Sequence, residues 1–175
     1  MRREVPLDHH PTVVLYGKEL RMRRSVGFFC DTPGVTGYKY SGQESVARPL
    51  TEPLRQVLAA TNAALGTAFN GLLVNLYADG TETIGAHSDS EVGLGKDGSV
   101  AALSLGAERI FRVKCKATKK TLADIRTRHG QLLVMEKVHF QRECTHEIPV
   151  QKTIHGPRVS ITFRQHALVT ESGPM

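Results

Sequence analysis

The chain has 175 residues, 40% of them hydrophobic and 23% charged, and its formal net charge is +6. That length fits one domain with a real core, the composition argues against a disordered chain, and no apolar run approaches the ~20 residues of a membrane span. The basic balance favours phosphate-bearing partners, and three cysteines without a CxxC argue against a disulfide framework or a cysteine zinc site and point to a reducing compartment.

The start, Met1-Arg2-Arg3-Glu4 followed by Val5-Pro6-Leu7-Asp8, has charge but no apolar stretch, so no secretory signal is expected. Residues 13–18 predict a short strand entering a turn, followed by the basic cluster Arg21-Met22-Arg23-Arg24. Residues 25–29 predict a second strand, Asp31-Thr32-Pro33-Gly34 a turn, and residues 38–42 another strand by alternation. A helix follows. Thr51 is a suitable N-cap, Glu52 and Pro53 suit a first turn, and Leu54, Val57, Leu58, Thr61 and Leu65 fall on one face before Gly66.

Beyond Gly71 the pattern is strands and turns. Strands are expected over 72–77 and 84–87, with a glycine-rich loop over 91–98. A hairpin is expected between 99–105 and 110–114 across Gly106-Ala107-Glu108. Strands over 132–135, 144–148 and 158–164 complete a mostly β domain with a flanking helix, of the sandwich or barrel type.

Two constellations carry chemistry. His87-Ser88-Asp89 is a His-x-Asp motif, and on an extended chain residues i and i+2 share a face, so one metal ion can reach both. A second histidine from another strand would complete the two-His, one-carboxylate set of non-haem iron(II) oxygenases. The candidates are His129, His139, His146, His155 and His166, and the strand-like setting favours His146. The last strand alternates perfectly: Arg158, Ser160, Thr162 and Arg164 share one face, and Val159, Ile161 and Phe163 the other. Such a polar face either meets water or lines a cavity, where two arginines would grip a dianion by bidentate bonds. Asn75 and Tyr77 share a face of an earlier strand and add an amide and a phenol.

Asn75-x-Tyr77, His87-x-Asp89, His146 and the Arg158/Arg164 strand, with Ser104-Leu105-Gly106 and residues 130–135 between them, resemble the AlkB family of Fe(II)/2-oxoglutarate-dependent dioxygenases over roughly residues 13–164. The branch with the animal enzymes repairing alkylated DNA and RNA is the most similar. The resemblance implies a double-stranded β-helix, or jelly roll, within a single dioxygenase domain spanning 1–175. Residues 1–48 would form a nucleotide-recognition lid and 70–166 the catalytic core.

It further implies iron(II) held by the catalytic set His87, Asp89 and His146, with 2-oxoglutarate and dioxygen as cosubstrates. Asn75 and Arg164 would bind one end of 2-oxoglutarate and Tyr77 and Arg158 the other. Thr162 and Ser160 lie on the same strand, Ser160 where members often have Asn. Tyr38, Tyr40 and Ser41 fall where relatives line the base pocket, Glu91 matches an acidic residue there, and Tyr16 lies in a turn matching a stacking wedge. Arg21, Arg23 and Arg24, with Lys114, Lys116, Lys119 and Lys120, are expected to contact phosphates.

The implied activity is oxidative demethylation of bases such as N1-methyladenine and N3-methylcytosine in DNA or RNA, with methyl hydroxylation and formaldehyde release. An intracellular monomer, in nucleus or cytoplasm and without a membrane partner, is expected. The competing readings are a 2-oxoglutarate oxygenase of proteins or small molecules, a non-catalytic nucleic-acid-binding jelly roll, and a zinc hydrolase.

Overall fold

The structure is a computed structural model and describes residues 5–15, 17–40, 43–89 and 99–166. Its first elements are a ribbon of β1 (Thr12–Leu15) and β2 (Lys18–Arg21), turning at Gly17 with φ 74°. The short strand entering a turn expected over 13–18 is β1 with the turn at Gly17, and a glycine in the left-handed region lets the chain return as β2. Strand β3 (Ser25–Cys30) follows, and then β4 (Gly37–Tyr40) and β5 (Gln43–Arg48).

Helix α1 (Glu52–Leu65) stands where the apolar spacing places it, and Gly66 ends it in the left-handed conformation at φ 64°. Thr51 occupies the cap position but its hydroxyl makes no capping bond and is buried without a partner; Pro53 in the first turn and the Thr51 carbonyl, which accepts from the Arg55 amide at 3.0 Å, start the helix instead.

The remaining strands are β6 (Gly71–Tyr77), β7 (Ile84–His87), β8 (Val100–Gly106), β9 (Arg109–Cys115), β10 (Thr121–Thr127), β11 (Gln131–Met135), β12 (Cys144–Ile148) and β13 (Arg158–Arg164). A short helix, α2 (Lys137–Glu143), connects β11 to β12. These strands make a seven-stranded sheet, β11-β8-β13-β6-β3-β5-β4, and a four-stranded sheet, β10-β9-β12-β7. The two sheets enclose a cavity, in the jelly-roll arrangement.

The expected hairpin of residues 99–105 with 110–114 is absent. β8 pairs with β11 and β13, whereas β9 pairs with β10 and β12. The turn between them carries the chain from one sheet to the other. Gly106 there has φ 92°, a Cβ on it would overlap the Pro157 carbonyl, and Ala107 N–H donates to that carbonyl at 2.9 Å. The turn signal was real, but it does not say which strands it joins.

Two layers of core hold the large sheet. On its outer face Leu54 of α1 packs with Phe29, Leu72, Val74, Ala101, Ile161 and Phe163. Between the sheets, Tyr77, Val100, Phe111, Val113, Met135 and Ile148 form a second cluster beneath the cavity. Arg109 braces the two: its guanidinium donates to the carbonyls of Asp79, Glu82 and Pro149, each at 2.8 Å, while being 1% exposed.

Candidate active site

Antiparallel register places the polar residues of the large sheet in ranks across its inner face. Asn75, Ser160 and Ser104 stand side by side on β6, β13 and β8. Tyr77 and Arg158 form the next rank, and Leu73, Thr162 and Ala102 the rank on the other side. The alternation of β13 therefore lines the cavity rather than facing water: Arg158 and Arg164 are each 2% exposed. All of these side chains except Ser104 border one cavity, and Arg24, Asp89, Met135, and Ile84, His87, Phe111, His146 and Ile148 of the small sheet complete its wall.

Opposite that wall, β12 pairs with β7 so that His146 lies across from His87, and Asp89 follows two residues later. The three side chains offer ligand atoms that all lie within 4.8 Å of one another. His87 Nε2 is 3.8 Å from Asp89 Oδ1, and His146 Nε2 is 3.6 Å from Asp89 Oδ2. His87 Nδ1 is 2.8 Å from the Gly85 carbonyl, to which it donates; this fixes the tautomer and leaves the Nε2 lone pair for a cation.

The loop is pinned as well. Ser88 Oγ donates to the Cys144 carbonyl at 2.8 Å, and the Asp89 amide donates to Gln141 Oε1 at 2.8 Å. Gln141 lies on α2.

Charge in the site is balanced by Arg164, whose Nη2 lies 2.7 Å from Asp89 Oδ1. Burial opposes ionisation of Asp89, but Arg164 and the two imidazoles outweigh it and hold the carboxyl down at about 2. Burial pushes His146 down to about 3, helped by His87 and Arg164, and lowers His87 too. Both imidazoles are neutral at physiological pH, the form that binds metal.

The large-sheet wall presents donors. Arg158 Nη2 donates to Ser104 Oγ at 2.8 Å, its Nε and Nη1 are buried without a hydrogen-bond partner, and its guanidinium lies 5.5 Å over the Tyr77 ring. Arg24 Nε donates to Asn75 Oδ1 at 2.7 Å, which turns the Asn75 NH₂ away from Arg24 and frees it to donate.

Arg24 thus corrects the expectation of a phosphate-binding Arg21–Arg24 cluster. It is 4% exposed and belongs to the cavity wall, because Ser25 begins β3 and draws the preceding residue inward. Arg23 is exposed and donates to the Thr81 carbonyl at 2.8 Å, and Arg21 is exposed on β2. Lys119 and Lys120 are exposed in the turn after β9, and Lys114 and Lys116 are half-buried.

Tyr38 and Tyr40 lie on β4; Tyr16, Ser41, Glu91 and the glycine-rich loop lie outside the described residues. Of the other histidines, His129 Nδ1 accepts from the Gly106 amide at 2.9 Å, His139 sits on α2, His155 precedes the turn to β13, and His166 stacks edge-on against Phe28, centroids 5.1 Å apart. None of the four joins the cluster of His87, Asp89 and His146.

Comparison with known proteins agrees with this geometry. The family model of the 2OG-Fe(II) oxygenase superfamily matches residues 1–164. The DNA oxidative demethylase ALKBH2 of Mus musculus is 34% identical over 163 residues, which cover 87% of this chain and 66% of that protein. ALKBH2 of Homo sapiens is 32% identical over 163 residues, covering 87% and 60%. The alpha-ketoglutarate-dependent dioxygenase alkB homolog 3 of Homo sapiens is 34% identical over 140 residues, covering 75% and 49%. The chain thus spans about half to two thirds of the length of these relatives. The solved structure of OsALKBH1 superposes with a TM-score of 0.57 at 15% identity, covering 94% of this chain and 88% of that one, a likeness of fold.

Proposed function

Because the chain belongs to the 2OG-Fe(II) oxygenase superfamily, we propose that it is an AlkB-type oxidative demethylase, removing methyl groups from alkylated bases of DNA with iron(II) and 2-oxoglutarate. The observation that carries the reading is the meeting of His87, Asp89 and His146 with a donor-lined wall across one cavity.

The residues fit both groups. Two neutral imidazoles and one carboxylate match iron(II), and Asp89 Oδ2, buried without a hydrogen-bond partner, is a ready ligand. The buried, unmatched Nε and Nη1 of Arg158 and the freed amide of Asn75 suit the two carboxylates of 2-oxoglutarate. Tyr77, Ser160, Thr162 and Arg164 line the same space. Iron(II) with this cosubstrate supplies oxidative attack on a C–H bond of an N-methyl group, which then leaves as formaldehyde.

The protein's own residues do the rest. Arg158 and Asn75 orient the dicarboxylate, Arg24 orients Asn75, Arg164 holds Asp89 ionised, and the Phe111 and Ile148 side chains keep the metal side of the cavity apolar. A base must leave the stack to reach so enclosed a site, and cationic lesions that pair poorly leave it at least cost. Tyr38, Tyr40 and Ser41 are proposed to receive the base, Glu91 to accept from its exocyclic amine, Tyr16 to prop the stack, and Arg21, Arg23 and the lysines of the β9–β10 turn to meet phosphates. The relatives' names favour DNA over RNA.

The test incubates the protein with iron(II), 2-oxoglutarate and oligonucleotides bearing one N1-methyladenine or N3-methylcytosine, as single strand, duplex and RNA. Methyl loss that needs both iron and 2-oxoglutarate is expected. Succinate formation without methyl loss would leave a 2-oxoglutarate oxygenase and sink the demethylase.

A further inference from the structure

We propose that Cys115 and Cys144 form an oxidative modification site, closing to an intramolecular disulfide when the Cys115 thiolate attacks hydrogen peroxide. The two residues lie directly opposite each other on the antiparallel strands β9 and β12. Their ladder position decides the geometry. The Lys116 amide donates to the Glu143 carbonyl at 2.8 Å, so Lys116 and Glu143 are a hydrogen-bonded pair, and the next pair along, Cys115 with Cys144, is a non-hydrogen-bonded one. Opposed Cα atoms at such positions stand about 4.5 Å apart with side chains on one face, inside the span a disulfide bridges. Both thiols are free, and both are only partly buried.

The surroundings give the two sulfurs different roles. Cys115 begins a tight turn in which its carbonyl accepts from the Lys119 amide at 2.9 Å and its amide donates to the Lys120 carbonyl at 2.9 Å. Hydrogen bonds from the Thr118 hydroxyl and from the Thr118 and Ala117 amides lower its pKa, which favours the thiolate. Cys144 packs against the inter-sheet core beside Val113 and Phe140. Cys115 is therefore the attacking sulfur and Cys144 the resolving one. The thiolate displaces hydroxide from the peroxide to give a sulfenic acid, and the Cys144 thiol then displaces water from that sulfur, so that two thiols and one peroxide yield one disulfide, with the peroxide oxygens leaving as water. The bond would tie β9 to β12 two residues before His146, at the residue whose carbonyl holds Ser88. It is independent of the proposed activity.

The experiment uses the full chain kept metal-free with a chelator, so that iron contributes no radical chemistry. Hydrogen peroxide is added, remaining thiols are trapped with N-ethylmaleimide, and the protein is digested and mapped. The expected result is one peptide pair linked through Cys115 and Cys144, restored by dithiothreitol, with the Cys30 thiol, buried on β3, still trapped. Cys115→Ser should slow thiol loss about tenfold, as removal of the more nucleophilic thiolate requires. Cys144→Ser should leave a sulfenic acid at Cys115 that dimedone captures. A stable sulfenic acid in the unaltered protein, links only between chains, or first reaction at Cys30 would overturn the proposal, and mapping the unaltered protein decides it even where a variant fails to fold.

Discussion

Asp89 is the residue on which most of the site's electrostatics converge, since Arg164 and both imidazoles face it. Asp89→Asn keeps the volume and removes the charge, so it is expected to lower iron-dependent turnover by more than about a hundredfold, because even outer partners of metal ligands are worth 10–100-fold. Iron binding measured by competition with a coloured chelator checks this directly. Arg24→Met should act differently. It removes the hydrogen bond that orients Asn75, so the KM for 2-oxoglutarate is expected to rise about tenfold, the worth of one hydrogen bond to a charged group, with a smaller change in iron affinity through the lost charge near His87. An unchanged KM would show that Asn75 holds its orientation by itself.

At the scale of elements, the sequence was most legible where one period governed a whole segment. β12 and β13 have the bounds read from the residues, and α1 stands on its apolar face. Legibility failed where pairing is decided by distant partners. Residues 99–105 and 110–114 look like a hairpin, yet Ser104 ranks with Ser160 and Val113 with His146, so the turn at Gly106 is a crossing between sheets. β10 and α2 were missed because β10 is a mostly exposed edge strand without clean alternation and α2 is only seven residues long. The third metal ligand shows the same limit: the strand-like setting of His146 favours it among five histidines and the family pattern selects it, but its pairing with His87 across the strands is a fact of register that local sequence does not carry. Arg24 reads as surface because a run of mostly basic character suggests solvent, whereas Met22 and Arg24 both turn inward and only Arg21 and Arg23 stay exposed. The crossing has a stability cost attached. Gly106→Ala should destabilise the fold by about 3 kcal/mol, from overpacking against Pro157 and from a side chain at positive φ, as read by denaturant unfolding.

At the scale of the whole molecule, buried imidazoles make the fold acid-sensitive. Burial lowers His166 to about 4 from an ordinary value of 6.5, with Arg164 assisting. The unfolded chain then binds the proton more readily than the folded one between those values, so stability is full above 6.5 and falls as the pH drops towards 4. His146, held down at about 3, extends the loss to lower pH, and Asp89 adds to it between its ordinary 3.8 and about 2. The melting temperature of the metal-free protein should therefore fall across that range. His166→Gln should flatten the upper part of the curve, and an unchanged slope would remove His166 from the account.

The pairing of Arg164 with Asp89 has one more consequence. The carboxylate that would bind iron has a resident counterion, and its neighbours are neutral, so no unbalanced negative charge has to be held in place by the metal. The metal-free chain is therefore expected to fold with the charges of its site already matched. Iron added after folding would then fill a finished site rather than complete an unfinished one.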